Sequence, residues 1–302
     1  MGAKSVSLFR PSFQRLAPYL VPAILIYGFC AILPIIGAFR YSLYTDLEFK
    51  LKYVGLANYL TLIFDSDFWL CFGNNMILVS INFVFQIVLA FIIAIWMHSK
   101  LVVLRDTVRI LLFFPAILSA IVVSFLWMLI YNVDYGMLNV FLKAVHLQSW
   151  TRAWLSDPDI VIFAVVVVTT WQYTGFFVVI FLAGLTNIPE ELIEAAEIDG
   201  ASISQRTVHV TLPLMSGTWR AVLILSTANG MKLFEHPFVL TGGGPGLHSA
   251  VLAIYAYNNL FFRSNLSYGS TVSIGTIILS FALIGAITLL ADRLVLRRGN
   301  GI

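Results

Sequence analysis

Six stretches of this sequence are each long and apolar enough to cross a lipid bilayer, and they limit the fold before any motif is read. A spanning helix needs about 20 mostly apolar residues. Segments 19–39, 75–97, 108–131, 160–185, 212–234 and 270–290 meet that requirement. The hydrophobic fraction is 60% and the mean hydropathy is +0.91, whereas a soluble chain is nearer 45–50% apolar. The reading is an all-α, polytopic membrane protein. Residues 1–302 form a single transmembrane domain, with turn-rich connections such as "TDLEFK", "NVDYG", "SDPD" and "TGGGPG" between spans.

Basic residues set the expected orientation. Lys4, Arg10 and Arg15 precede the first span, Lys100, Arg105 and Arg109 follow the second, and Arg293, Arg297 and Arg298 follow the sixth. Positive loops face the cytoplasm, so both termini and the loop 186–211 are expected there. The opening "MGAKSVSLFR" has no apolar run or small-residue cleavage site, so no removable signal peptide is expected. A net charge of +3 is too small to argue for nucleic acid.

The loop 186–211 is chemically unlike the rest. Of 15 acids in the chain, five fall between Glu190 and Asp199: Glu190, Glu191, Glu194, Glu197 and Asp199. Asn187 or Thr186 is a possible cap, Pro189 suits a first turn, and Gly200 is placed to end a helix in the left-handed conformation. Ser202 and Gln205 have capping-box spacing for a second short helix. Two readings fit: a solvated acidic helix, or a docking device whose carboxylates meet Arg or Lys on a partner.

Within the spans, polar groups are costly and face cavities or partner helices. The fourth span carries "WQYTGFF", the fifth "STANGMKLFEH", and the third ends in Trp127 and Tyr131. Aromatic faces and amides are the residue types that hold sugars. Asn82 and Gln86, four apart in the second span, read as glue between helices. Lys232 and Glu235 either pair on one helix face or snorkel outward, and Arg220 is expected to snorkel toward the cytoplasm.

Several chemistries are not encoded. No G-x-x-x-x-G-K-[ST] occurs, so no nucleotide site is expected. His98, His146, His209, His236 and His248 are scattered, and Cys30 and Cys71 lack ligand spacing. No metal site and no catalytic constellation follow. An ion-coupled secondary transporter is the alternative function, but it calls for paired charges near midplane or inverted repeats.

The acidic loop also resembles a known family. "EAAEIDGA", followed by "LP" at Leu212 and Pro213, is similar to the EAA loop of binding-protein-dependent ABC importer permeases. "TGGGPG" and "YGMLN" resemble the maltose-type subgroup. Thr207 stands where many members carry an aromatic. The resemblance implies a type I ABC importer permease fold in a bacterial or archaeal cytoplasmic membrane. It implies that Glu194, Ala195, Ala196, Asp199, Gly200 and Ala201 form a coupling helix seated on an ATPase. It implies a second permease, two ATPase copies that hold the ATP and Mg, an extracytoplasmic solute-binding protein and a carbohydrate substrate. Carried over by motif, the substrate path is Gln172, Tyr173, Phe176, Ser226, Asn229 and Gly230.

Overall fold

The computed structural model describes residues 13–47, 50–99 and 104–295. Lys4, Arg10, Lys100, Arg297 and Arg298, and the opening segment, lie outside the described residues. Among the described residues, four helices are long and apolar enough to cross a membrane: Ala17–Ser42, Ser66–His98, Val161–Thr186 and Leu266–Ala291. Two further candidates are bent pairs. Arg105–Ile117 and Ala120–Ile130 meet at 95°, and Ile203–Leu214 and Ser216–Thr241 meet at 74°. Counted as one span each, they bring the number to six.

Segments 108–131 and 212–234, each expected as one continuous helix, are both broken. Leu118 and Ser119 are extended (ψ 146° and 135°), three residues after Pro115. Met215 breaks the fifth span two residues after Pro213. Proline removes a backbone donor and crowds the carbonyl four residues earlier, so each break follows a weakened turn. The fifth span breaks again between Met231 and Glu235 before a short helix, Glu235–Thr241. A second correction concerns the connection after the first span. It holds a two-stranded antiparallel hairpin, Tyr44–Leu47 with Lys50–Tyr53, in which Tyr44 faces Tyr53.

The apolar interior falls into two clusters. One gathers Cys71, Leu78, Val123, Val165, Val168, Leu252 and Val272. The other gathers Ile87, Phe91, Phe177, Phe181, Met215 and Val222, closer to the loop 186–211. The first span contributes little to either. Its residues Tyr19, Ile24, Leu25 and Phe29 are exposed, and its later half packs against the sixth span.

A carboxylate gathers the N-terminal ends of the second and sixth spans. Asp65 caps the second span by accepting from the N–H groups of Asp67 and Phe68 at 3.0 and 3.4 Å. Its other oxygen accepts from the Tyr255 hydroxyl at 2.6 Å and from the Tyr268 hydroxyl. Burial alone would raise this carboxyl's pKa, but the bonds from Tyr255, Tyr268, Phe68 and Asp67 outweigh it and hold the pKa below the usual value. A depressed folded-state pKa stabilises the fold above the unfolded value of about 3.9 and ceases to do so as pH falls through the folded one. Asp65→Ala is therefore expected to cost about 1–3 kcal/mol at neutral pH. Thermal unfolding in detergent checks it: the gap between wild type and variant should be constant from pH 8 to 5 and close only in strong acid.

Candidate functional site

Between the two apolar clusters lies a polar layer. Asn82 and Gln86 of the second span, Thr169 and Gln172 of the fourth, and Ser226 and Thr227 of the fifth are all buried there. The Thr170 hydroxyl donates to Asn82 Oδ1 at 2.8 Å, and Gln86 Nε2 donates to the Thr169 carbonyl at 3.2 Å. These bonds join the second span to the fourth, as expected of helix glue.

Amides on neighbouring spans also close the broken helices. Gln172 Nε2 donates to the Leu118 carbonyl at 2.9 Å, at the break in the third span. Asn75 Nδ2 donates to the Gly230 carbonyl at 2.9 Å, where the fifth span is about to stop. The Asn75 Oδ1 accepts from the Leu252 N–H, also at 2.9 Å, at the start of helix Leu252–Tyr257. Asn74 Nδ2 donates to the carbonyls of Leu247 and Ala250 at 2.9 and 2.8 Å. Two adjacent asparagines thus pin the chain that returns from the "TGGGPG" turn. Neither is among the expected site residues, although an Asn pair opening an apolar span was the available signal.

The second arm of the third span is held by His236. Ser124 Oγ donates to the Ala120 carbonyl at 2.8 Å, which leaves that oxygen to accept from His236 Nδ1 at 2.9 Å. The first arm lies against the fourth span at Gly175, where an added Cβ would collide with the Leu112 backbone.

The six residues expected on a substrate path do not converge on one cavity. Tyr173 and Phe176 are half-buried on the fourth span, and Asn229 is exposed on the fifth. Tyr173 lies edge-on to the His236 ring, 6.1 Å between centroids. Gln172 is 1% exposed and engaged at the Leu118 break. Gly230 packs on Val79, whose Cγ2 would be 2.5 Å from an added Cβ. Ser226 lines a different space, an apolar groove of about 460 Å³ whose walls include Phe83, Trp219, Arg220, Leu223 and Ile287.

The acidic loop folds as two short helices. Helix Glu190–Ile198 starts after Pro189 at its N-cap, so neither Asn187 nor Thr186 caps it; Asn187 instead ends the fourth span. Gly200 has φ +78° with nothing near its missing Cβ. Ser202 Oγ accepts from the Gln205 N–H while Gln205 Oε1 accepts from the Ser202 N–H, a complete capping box. Glu191, Glu194 and Glu197 are exposed together with Leu192, Ile198 and Ile203.

Residues 86–298 match the family described as binding-protein-dependent transport system inner membrane component. The chain belongs to this family. It is therefore a permease, the membrane subunit of an importer that works with a solute-binding protein, and not an enzyme. The ion-coupled alternative falls with that membership. The permease is similar to the probable ABC transporter permease protein YurN of Bacillus subtilis, 32% identical over 89% of this chain and 94% of that protein. It is also similar to the trehalose/maltose transport system permease protein MalF of Thermococcus litoralis, 34% identical over 84% of this chain and 86% of the other. In fold it resembles a chain from a bacterial ABC transporter involved in the import of the acidic polysaccharide alginate. That likeness has a TM-score of 0.80 over 93% of this permease and 96% of that chain, at 20% identity.

Asn75 serves two buried backbone groups of this permease at once. Asn75→Leu would leave the Gly230 carbonyl and the Leu252 N–H buried without a partner, at about 1–3 kcal/mol for each group. The variant should lose roughly 2–6 kcal/mol of stability. The check is its unfolding midpoint in detergent beside that of Ile77→Leu, which should lie close to wild type.

Proposed function

We propose that this permease carries a carbohydrate, of the size of a disaccharide or short oligosaccharide, into the cytoplasm. It would do so beside a second permease and above two copies of a cytoplasmic ATPase that hold the ATP and Mg. The observation that carries the reading is the loop 186–211. Its first helix has no buried residue and presents carboxylates and apolar side chains together. A loop built only for solvent has no use for exposed Leu192 and Ile198 on its first helix and Ile203 on its second. A protein partner would use both kinds of group: Glu194 and Asp199 for charge-assisted bonds, the apolar side chains for burial. Relatives named for trehalose/maltose, arabinooligosaccharides and lactose support the choice of solute.

The same reading places both termini and the loop 186–211 in the cytoplasm, on the strength of the Lys and Arg distribution. It makes Ala195, Ala196 and Ala201 the small residues that let the ATPase approach, and Asp199 the acid beside the bend. In the membrane, Tyr173, Phe176 and Asn229 would touch the passing solute, because their side chains keep free surface. Gln172, Ser226 and Gly230 would shape the path from behind. Alanine at Tyr173 and at Asn229 is expected to reduce uptake at unchanged assembly; normal uptake by both would place the path elsewhere.

Two substitutions test the docking loop. Gly200→Asp strains a left-handed residue by roughly 1–2 kcal/mol, with no steric clash to confuse the result. Glu194→Lys removes a charge-assisted bond of about 1.5–3 kcal/mol. Both variants should reach the membrane, retain roughly tenfold less ATPase on co-purification and transport poorly. Wild-type retention and transport by both would leave the acidic helix as a solvated surface.

A further inference from the structure

We infer that Arg206 is a positioning residue for transport, which with Glu197 locks the docking helix Glu190–Ile198 to the helix that leads into the fifth span. The inference rests on the docking reading of this loop. The bend between the two helices has four residues, and each of their N–H groups is bonded. Asp199 donates to the Ala195 carbonyl, Gly200 to that of Glu197 and Ala201 to that of Ala196, each at 3.0 Å. These three bonds point back to the first helix. The Ser202 N–H donates forward, to Gln205 Oε1 at 2.8 Å, and belongs to the second. The backbone bonds therefore stiffen each half of the bend and leave a seam between Ala201 and Ser202.

The pair of Arg206 and Glu197 crosses that seam. Arg206 Nη1 lies 2.9 Å from Glu197 Oε2, with the arginine side chain 19% exposed and the glutamate 65%. A pair this open to water contributes little to global stability. Its effect is angular: the guanidinium is planar and directional, and it joins points nine residues apart on opposite sides of a glycine bend. Arg206 continues without a break into Ile203–Leu214, so a push on the docking helix reaches Met215 as the movement of one body. Without the pair, the same push is absorbed by rotation at the seam.

The test is a charge exchange in the assembled transporter, with both permeases, ATPase and binding protein in proteoliposomes. Arg206→Glu and Glu197→Arg should each retain the ATPase on co-purification and keep the melting temperature. Each should raise the ATP consumed per solute moved by roughly two- to fivefold, the ratio a weak ion pair commands. The double variant, E197R with R206E, should return the ratio toward wild type, and Arg206→Lys should lie between. An unchanged ratio in both single variants, or no recovery in the double, overturns the inference. Loss of the ATPase in the single variants also overturns it, since these residues would then be docking contacts. Failure of the docking reading itself is distinguishable, because Glu194→Lys would then keep the ATPase at the wild-type level.

Discussion

A backbone group that loses its helical partner inside a bilayer has no water to turn to, and each such group costs several kcal/mol if left alone. Among the described residues, this permease meets two of its helix interruptions, at Leu118 and after Gly230, with side-chain amides. Gln172 answers the Leu118 carbonyl, and Asn75 answers the Gly230 carbonyl together with the Leu252 N–H. Breaks and amides are one design. Remove the amide and the break becomes unaffordable; straighten the helix and the amide becomes a buried polar group with no partner.

That pairing explains how polar and apolar matter are arranged. The clusters around Val165 and around Phe181 are closely packed and specific in shape. The layer between them is held by hydrogen bonds from Asn82, Gln86, Thr170 and Gln172. Close packing has few alternative arrangements, whereas a hydrogen-bonding group can exchange one partner for another at similar energy.

Much of this was legible in the sequence because it is local. Apolar length found the four long helices and the two bent pairs. Gly200 gave the left-handed bend and Ser202 with Gln205 gave the capping box, since both follow from a few neighbouring residues. The spacing of Asn82 and Gln86 gave the glue between helices. The breaks at Leu118 and Met215 were not legible, because hydropathy summed over 20 residues passes smoothly through a kink. Pro115 and Pro213 marked the weakened turns without saying whether the helix would bend or stop. Asn74 and Asn75 were opaque for a different reason: their partners lie more than 150 residues away. Gln172 is expected on the substrate path by motif, and its bond to the Leu118 carbonyl, 54 residues away, adds a role at the break that no local pattern shows.

The exposure of the first span bears on how this part of the sequence can change over generations. Between Tyr19 and Ile32 the chain has few packed neighbours of its own. Selection from within the fold therefore acts there on apolar length alone, and Leu, Ile, Val and Phe are nearly interchangeable in that respect. Gly175 is the opposite case, since any side chain meets the Leu112 backbone. If residues 19–32 prove to drift slowly among relatives, the restraint must come from lipid or from another chain. The rate of drift along a single helix would then map a contact that this subunit cannot make with itself.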